Sequence, residues 1–262
     1  MTYDPREVRG TPYGAPLIPQ FPLRMRDTEI LTIVYRSDRD AIEAMVPTPL
    51  VVVGDLVIVH VYAMHDAEWF GVYGESAVQI PVRHEASGTT GAYSPLLVVE
   101  GDGPVAAGRE IYGQPKKAGR ITLEAHGDLL VGTVTRNDIT IITATMPYKQ
   151  RAGTPEDLEK HASFRTNINL KMIPNVDGSG SAVRELTART LGDVVVDGSG
   201  EAPERSSCAR MPRYRYIFFR FERLSRPSTG GPTSRSWTAK SSSDSRNTMS
   251  FARHEIATPT MH

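Results

Sequence analysis

From residue 29 onward the chain is a succession of short apolar stretches, each bounded by glycine, proline or small polar residues and none long enough for an extended helix. Residues 29–35 are rich in Ile, Val and other side chains that fit a pleated surface, which predicts a strand. Ser37, with Asp40 three residues later, resembles a capping box and predicts a short helix to Met45, stopped before Pro47. Residues 56–64, 70–80, 92–99 and 103–110 read as extended segments, followed by strands at 121–126, 130–136 and 139–146. The Asn137-Asp138 pair between the last two tolerates positive φ and suits a tight hairpin turn. Thr154 as cap and Pro155 at the first helical position predict a second helix to about residue 162. Strands resume at 167–173, 182–189 and 193–196, with a Gly-rich turn at 177–181. Strand following strand, with only a few short helices, predicts an α+β fold that is mostly antiparallel β. The five prolines of residues 1–27 are too closely spaced for a regular element and predict an irregular arm over the body.

Composition changes this picture at one end. The 262 residues are 39 % hydrophobic and 23 % charged with no net charge, so nothing global recruits nucleic acid or an anionic membrane. That neutrality hides a division: residues 1–200 carry a net −6 and residues 201–262 a net +6. Residues 201–262 hold 17 Ser or Thr and ten Arg, with one convincing apolar cluster at 214–221, which suits one strand or a short helix. The remainder, 225–262, has too few apolar groups to offset the entropy of ordering it. A body of 1–197 and an atypical basic Ser/Arg-rich segment of 198–262 are therefore expected. One cysteine, Cys208, excludes an intramolecular disulfide framework and fits a reducing compartment. No apolar run approaches 18 residues and the first nine residues do not read as a secretory signal, so the cytoplasm is the expected location.

Candidate chemistry centres on a lysine. Burial disfavours an ammonium and releases a nucleophilic amine, so a lysine held in an apolar site can react near neutral pH. Residues 108–119, Gly-Arg-Glu-Ile-Tyr-Gly-Gln-Pro-Lys-Lys-Ala-Gly, place Lys116 and Lys117 after a proline; alone, that pattern also suits a solvated basic turn. Glu75, between Gly74 and Ser76 in an extended stretch, is a candidate proton donor or orienter, or a solvent-facing acid. Arg36 at the end of the first strand could grip a carboxylate, or pair on the surface with Asp38 or Asp40. His60 and Met64 share a strand face and His65 takes the other, without the spacing of a metal site. Nucleotide-binding, serine-hydrolase and zinc-protease motifs are absent.

Several separate words, in order over about 170 residues, resemble the acetoacetate decarboxylase family: residues 33–38 (IVYRSD), 63–66 (AMHD), 73–76 (YGES) with 79–81 (QIP), 108–119, 144–149 (ATMPYK) and 170–179 (LKMIPNVDGS). The resemblance implies a cone-shaped, closed sheet, a large homo-oligomer and a small β-keto acid substrate, with neither cofactor nor metal. It also implies roles: Lys116 as the Schiff-base lysine, Lys117 as its cationic neighbour, Glu75 as the active-site acid, and Arg36 as the arginine near the substrate carboxylate. The implied reaction converts acetoacetate to acetone and CO₂. If Lys116 and Lys117 continue a strand they leave opposite faces, so desolvation is expected to depress the Lys116 pKa more than its neighbour does.

Two departures from the family stand out. A second acid expected at the position of His60 is missing. Residues 198–262 do not resemble the family's closing strands; a shifted reading frame near 198 or genuine divergence would each explain them. The alternatives are a Schiff-base aldolase or dehydratase of the same family, and a homologue inactivated by its altered end.

Overall fold

The computed structural model describes residues 10–147, 151–152, 165–192, 196–201, 208–214 and 218–223, all within a unit of Met1–Pro227. Among these residues the elements are β1 (Met25–Arg36), α1 (Arg39–Glu43), β2 (Leu50–Val52), β3 (Leu56–Ala67), β4 (Gly71–His84), β5 (Thr89–Val99), α2 (Asp102–Ala106), β6 (Lys116–Ala118), β7 (Arg120–His126), β8 (Leu129–Arg136), β9 (Ile139–Pro147), β10 (Arg151–Ala152), β11 (Thr166–Pro174), β12 (Ser181–Gly192), β13 (Val196–Glu201), β14 (Cys208–Tyr214) and β15 (Phe218–Arg223). Ten strands run in the order β10-β13-β14-β1-β3-β4-β5-β11-β12-β15, with β2 added beside β4 and β6 beside β5; β7-β8-β9 form a separate sheet. The α+β, mostly antiparallel class expected from the sequence is the one observed. The expected closure is not: among the described residues the large sheet is an open path, and β5 pairs in parallel with both β6 and β11.

Alternation along the central strands builds two cores from one sheet. Ile30 on β1, Met64 on β3 and Leu97 on β5 pack in one cluster, while their neighbours Leu31, Val61 and Val98 point to the other face and meet Ile121, Leu130, Val134 and Met146 of the small sheet. Each fully buried side chain of this size contributes about 1.5–3 kcal/mol relative to exposure. The small sheet comes so close that a Cβ on Gly132 would lie 3.1–3.2 Å from Val61 side-chain atoms. A third cluster, including Ile42 of α1, Val57, Ile80 and Ile168, closes the far end.

The structure corrects several expected boundaries. Residues 103–110 are helical, not extended: α2 continues into a π-type turn, Ala107–Tyr112. The physical reason is local, because Gly101 at φ 79° breaks the chain after β5 and Pro104 sits in the first turn, where its missing N–H costs nothing. The short helix is capped by Asp38, whose Oδ1 accepts from Ala41 N at 2.9 Å, and not by Ser37. Asn137 and Asp138 take φ of 50° and 62° in the β8–β9 hairpin, as their chemistry predicts. Apolar cluster 214–221 divides between the end of β14 and the start of β15, which pair with β1 and β12 respectively; residues 215–217 lie outside the described set. The helix expected at 154–162 and the segment 225–262 also lie outside it.

Candidate active site

Lys116 opens β6, and the chain before it folds so that this side chain turns inward. Gly113 ends the π-type turn at φ 72°, Gln114 N donates to Gly108 O at 2.9 Å, and Lys116 N donates to Gln114 O at 2.8 Å. The lysine stem crosses Gly108: a Cβ there would collide with Lys116 Cδ and lie 2.7 Å from Cε. Glycine is needed at 108 because the aliphatic part of Lys116 occupies the space a side chain would take. Gly113 is doubly constrained, by its positive φ and by the Lys171 backbone, whose N would stand 2.7 Å from an added Cβ.

The ammonium end of Lys116 meets Glu75, with Nζ donating to Oε2 at 2.8 Å. Both residues are only 6 % exposed. Burial pushes the Lys116 pKa below its ordinary 10.5; the Glu75 carboxylate and its hydrogen bond oppose that shift, and Arg189 adds to it. Loss of surrounding water disfavours the ammonium, whereas the carboxylate beside it favours the charged form. Glu75 stands opposite Tyr62 across the β3–β4 ladder. Burial raises the pKa of Tyr62 and Tyr73, and Glu75 raises both further; burial pushes Tyr112 up to about 12. All three phenols therefore keep their protons at neutral pH.

These groups line one cavity of about 50 Å³, room for a few waters. One wall is apolar, from Leu23, Met25, Ile30, Met64, Phe70 and Leu191; the polar side carries Glu75, Lys116, Gln79, Gln114, Asn167 and Arg189. Arg189 is held by Asn167, donating from Nη2 to Oδ1 at 2.5 Å, and its guanidinium carbon stands 5.9 Å from the centre of the Tyr112 ring. An ammonium, a guanidinium and a carboxylate in a small, largely apolar space can accept an anion and can exchange a proton at Nζ.

Of the four residues singled out in the sequence, the structure brings Lys116 and Glu75 together and leaves the other two outside the cavity lining. Lys117 is exposed on the opposite side of β6, because successive strand residues point to opposite faces. Arg36 is at the outer end of β1 with a side chain 76 % exposed, and grips Asp55 through both carboxylate oxygens at 2.6 and 2.7 Å. Asp55 holds the Arg36 pKa up and is itself held down by it, so the two form a surface pair. Arg189, which reaches the cavity, went unnoticed in the sequence because a lone arginine near a strand end carries no signal of its own. Tyr73 and Gln79 were findable: they share the two-residue parity of Glu75 on β4.

Among the described residues, no group of three His, Cys, Asp or Glu is arranged to hold a metal ion, and no helix is long and apolar enough to cross a membrane.

Comparison with known proteins agrees with the fold. The family model for acetoacetate decarboxylase matches residues 9–207. The chain is 37 % identical over 204 residues to an acetoacetate decarboxylase of Acidiphilium cryptum, covering 76 % of this chain and 82 % of that one. It is likewise 37 % identical over 196 residues to that of Clostridium acetobutylicum, covering 75 % and 79 %. The solved structure of the Legionella pneumophila acetoacetate decarboxylase superposes with a TM-score of 0.73 at 27 % identity, covering 79 % of this chain and 88 % of that one. With a match over most of its length and relatives above a third identical, this chain belongs to the acetoacetate decarboxylase family.

Proposed function

We propose that this enzyme decarboxylates a small β-keto acid, acetoacetate foremost, through an imine on Lys116. The observation that carries the reading is the burial of Lys116 against Glu75 at 2.8 Å in a small cavity that also holds Arg189. Activation of a lysine by a depressed pKa is a general device, of which acetoacetate decarboxylase is the standard example.

The steps follow from the need for an electron sink. Lys116 transfers a proton to Glu75, and the neutral amine adds to the ketone carbon. Loss of water leaves a protonated imine, and the C–C bond to the carboxylate breaks so that its electron pair enters the imine. CO₂ departs, the resulting enamine takes a proton at carbon, and water releases acetone and the free amine. Glu75 is placed to take the first proton and to return one later, since it already touches Nζ. Arg189 is the cation suited to the substrate carboxylate, a role that the surface pairing of Arg36 leaves unfilled.

The reading is tested by borohydride reduction in the presence of acetoacetate, with peptide mapping and a parallel CO₂ assay. An adduct on Lys116 with CO₂ release is expected. An adduct without CO₂ would reject decarboxylation while keeping the imine, and no adduct would reject both.

A further inference from the structure

The imidazole that occupies position 60 is tied into the cavity through a neighbour. His60 is 2 % exposed on β3, opposite Thr32 of β1 and Ala77 of β4. Its Nδ1 lies 2.8 Å from Thr32 Oγ1 and its Nε2 lies 3.2 Å from Gln79 Oε1. Its carbonyl oxygen accepts from Ser76 Oγ at 2.8 Å, which fixes the backbone beneath the ring.

One set of donors and acceptors makes both ring contacts at once. The Thr32 hydroxyl donates to Nδ1, and Nε2–H donates to Oε1 of Gln79. The Gln79 amide then has its NH₂ left over, and Gln79 lines the cavity. The opposite orientation would turn a carbonyl oxygen toward the cavity, where it suits the cations Lys116 and Arg189 but repels a carboxylate; the recorded contact of Oε1 with Nε2 is the orientation that leaves a donor for an anion.

The sheet register shows where this donor stands. Gln79 shares the β4 face of Glu75, with only Ala77 between them. The β4–β5 pairing shifts between Val78 and Ile80 with the extra residue on β5, while the β3–β4 register runs unbroken through Gln79, which keeps its regular face. Lys116 is level with Leu97 of β5 and so with Ala77. Arg189 is level with Asn167, Ala92 and Pro81. Gln79 therefore lies midway between the levels of the amine and the guanidinium. A keto acid whose ketone meets Lys116 and whose carboxylate meets Arg189 would occupy the cavity that Gln79 also lines.

We propose that Gln79, aimed by His60, is a specificity-determining donor whose amide N–H holds the carboxylate of the bound keto acid jointly with Arg189. The proposal rests on the imine reading of Lys116 and deepens it. Decarboxylation requires the breaking C–C bond to stand perpendicular to the plane of the protonated imine, so that its electrons enter the π system. One contact to a carboxylate leaves it free to turn; two contacts from different directions set that torsion. His60 acts through Gln79 as a positioning residue and needs no contact with substrate.

The test compares a carboxylate-bearing ketone with one that lacks the carboxylate. Wild type, Gln79→Met and Gln79→Glu are assayed with acetoacetate, and Lys116 is trapped by borohydride with acetone, a ketone without the carboxylate, at the plateau of each pH profile. Gln79→Met removes the donor without adding charge, and Gln79→Glu keeps the oxygen that accepts from His60. Both are expected to lower kcat/KM for acetoacetate by roughly 10-fold or more, with kcat falling because the torsion is no longer held, and with undiminished trapping of acetone. His60→Phe should lower kcat/KM by a smaller factor in the wild type and add nothing in the Gln79→Met background, because its effect passes through the amide. Unchanged kcat/KM in both Gln79 variants, or equal loss of both ketones in both variants, would overturn the proposal. Failure of the wild type to trap either ketone would instead overturn the imine reading, and this proposal with it.

Discussion

The proton affinity of Lys116 is set by a balance of named neighbours, and each can be removed with a predictable sign. In the proposed mechanism the reacting species is the neutral amine, so the rate should rise with pH until Lys116 has lost its proton. The Glu75 carboxylate raises the amine's pKa, so Glu75→Gln should shift the acidic limb of kcat/KM to lower pH. Arg189 lowers it, so Arg189→Met should shift the same limb to higher pH and raise KM for the keto acid. Glu75→Gln should also lower the plateau rate, by ~100-fold or more if the acid moves the proton. Lys117→Met should leave the limb where it is, since that ammonium is exposed and lies on the other face of β6. A pH profile of the trapping rate for each variant checks all three directions, and a limb that moves in Lys117→Met would contradict this account. Lys116, Glu75 and Gln79 sit in recognisable words of the sequence; Arg189 sits in none, and only the packing of β4, β5, β11 and β12 side by side gathers these side chains at one cavity.

The segment from α2 to β6 decides whether that amine reaches the cavity. Within it, residues 103–110 read as extended because a short run of Val105, Ala106 and Ala107 fits either state, and periodicity cannot separate a buried strand from a short buried helix. Its glycines are explained by the fold and not by local propensity. Gly108→Ala should leave the protein folded, with a loss of roughly 1–3 kcal/mol from overpacking, yet slow imine trapping by at least about 10-fold because the Lys116 stem must move. Gly113→Ala meets both a positive φ and the Lys171 backbone, so a loss of more than about 3 kcal/mol is expected, visible as a fall in Tm. Similar effects from the two substitutions would show that the lysine stem has no special claim on the space at 108. The hairpin at Asn137-Asp138, in contrast, was legible in advance, since positive φ there is a property of the two side chains themselves.

At the scale of the whole molecule, the large sheet carries the cavity on the face opposite the small sheet, so strands remote in sequence hold the site in shape. β14 pairs along β1, whose Met25 and Ile30 form part of the apolar wall, and β15 pairs along β12 at Arg189. A chain stopped after Gly192 should therefore expose two strand edges, form aggregates visible by size-exclusion chromatography, and lose trapping of Lys116. A monodisperse truncated chain that still forms the adduct would show that β14 and β15 are dispensable. The sequence by itself determined the antiparallel strand succession, the hairpin chemistry and the pairing candidates Lys116 and Glu75, because these depend on alternation, turn propensity and contiguous words. Only the tertiary structure decided that Arg36 faces solvent while Arg189 faces the cavity, that β5 has parallel neighbours, and that His60 reaches the site through Gln79. Those outcomes depend on which strands become neighbours and in what register, and burial, the force that depresses the amine pKa of Lys116, exists only once they have done so.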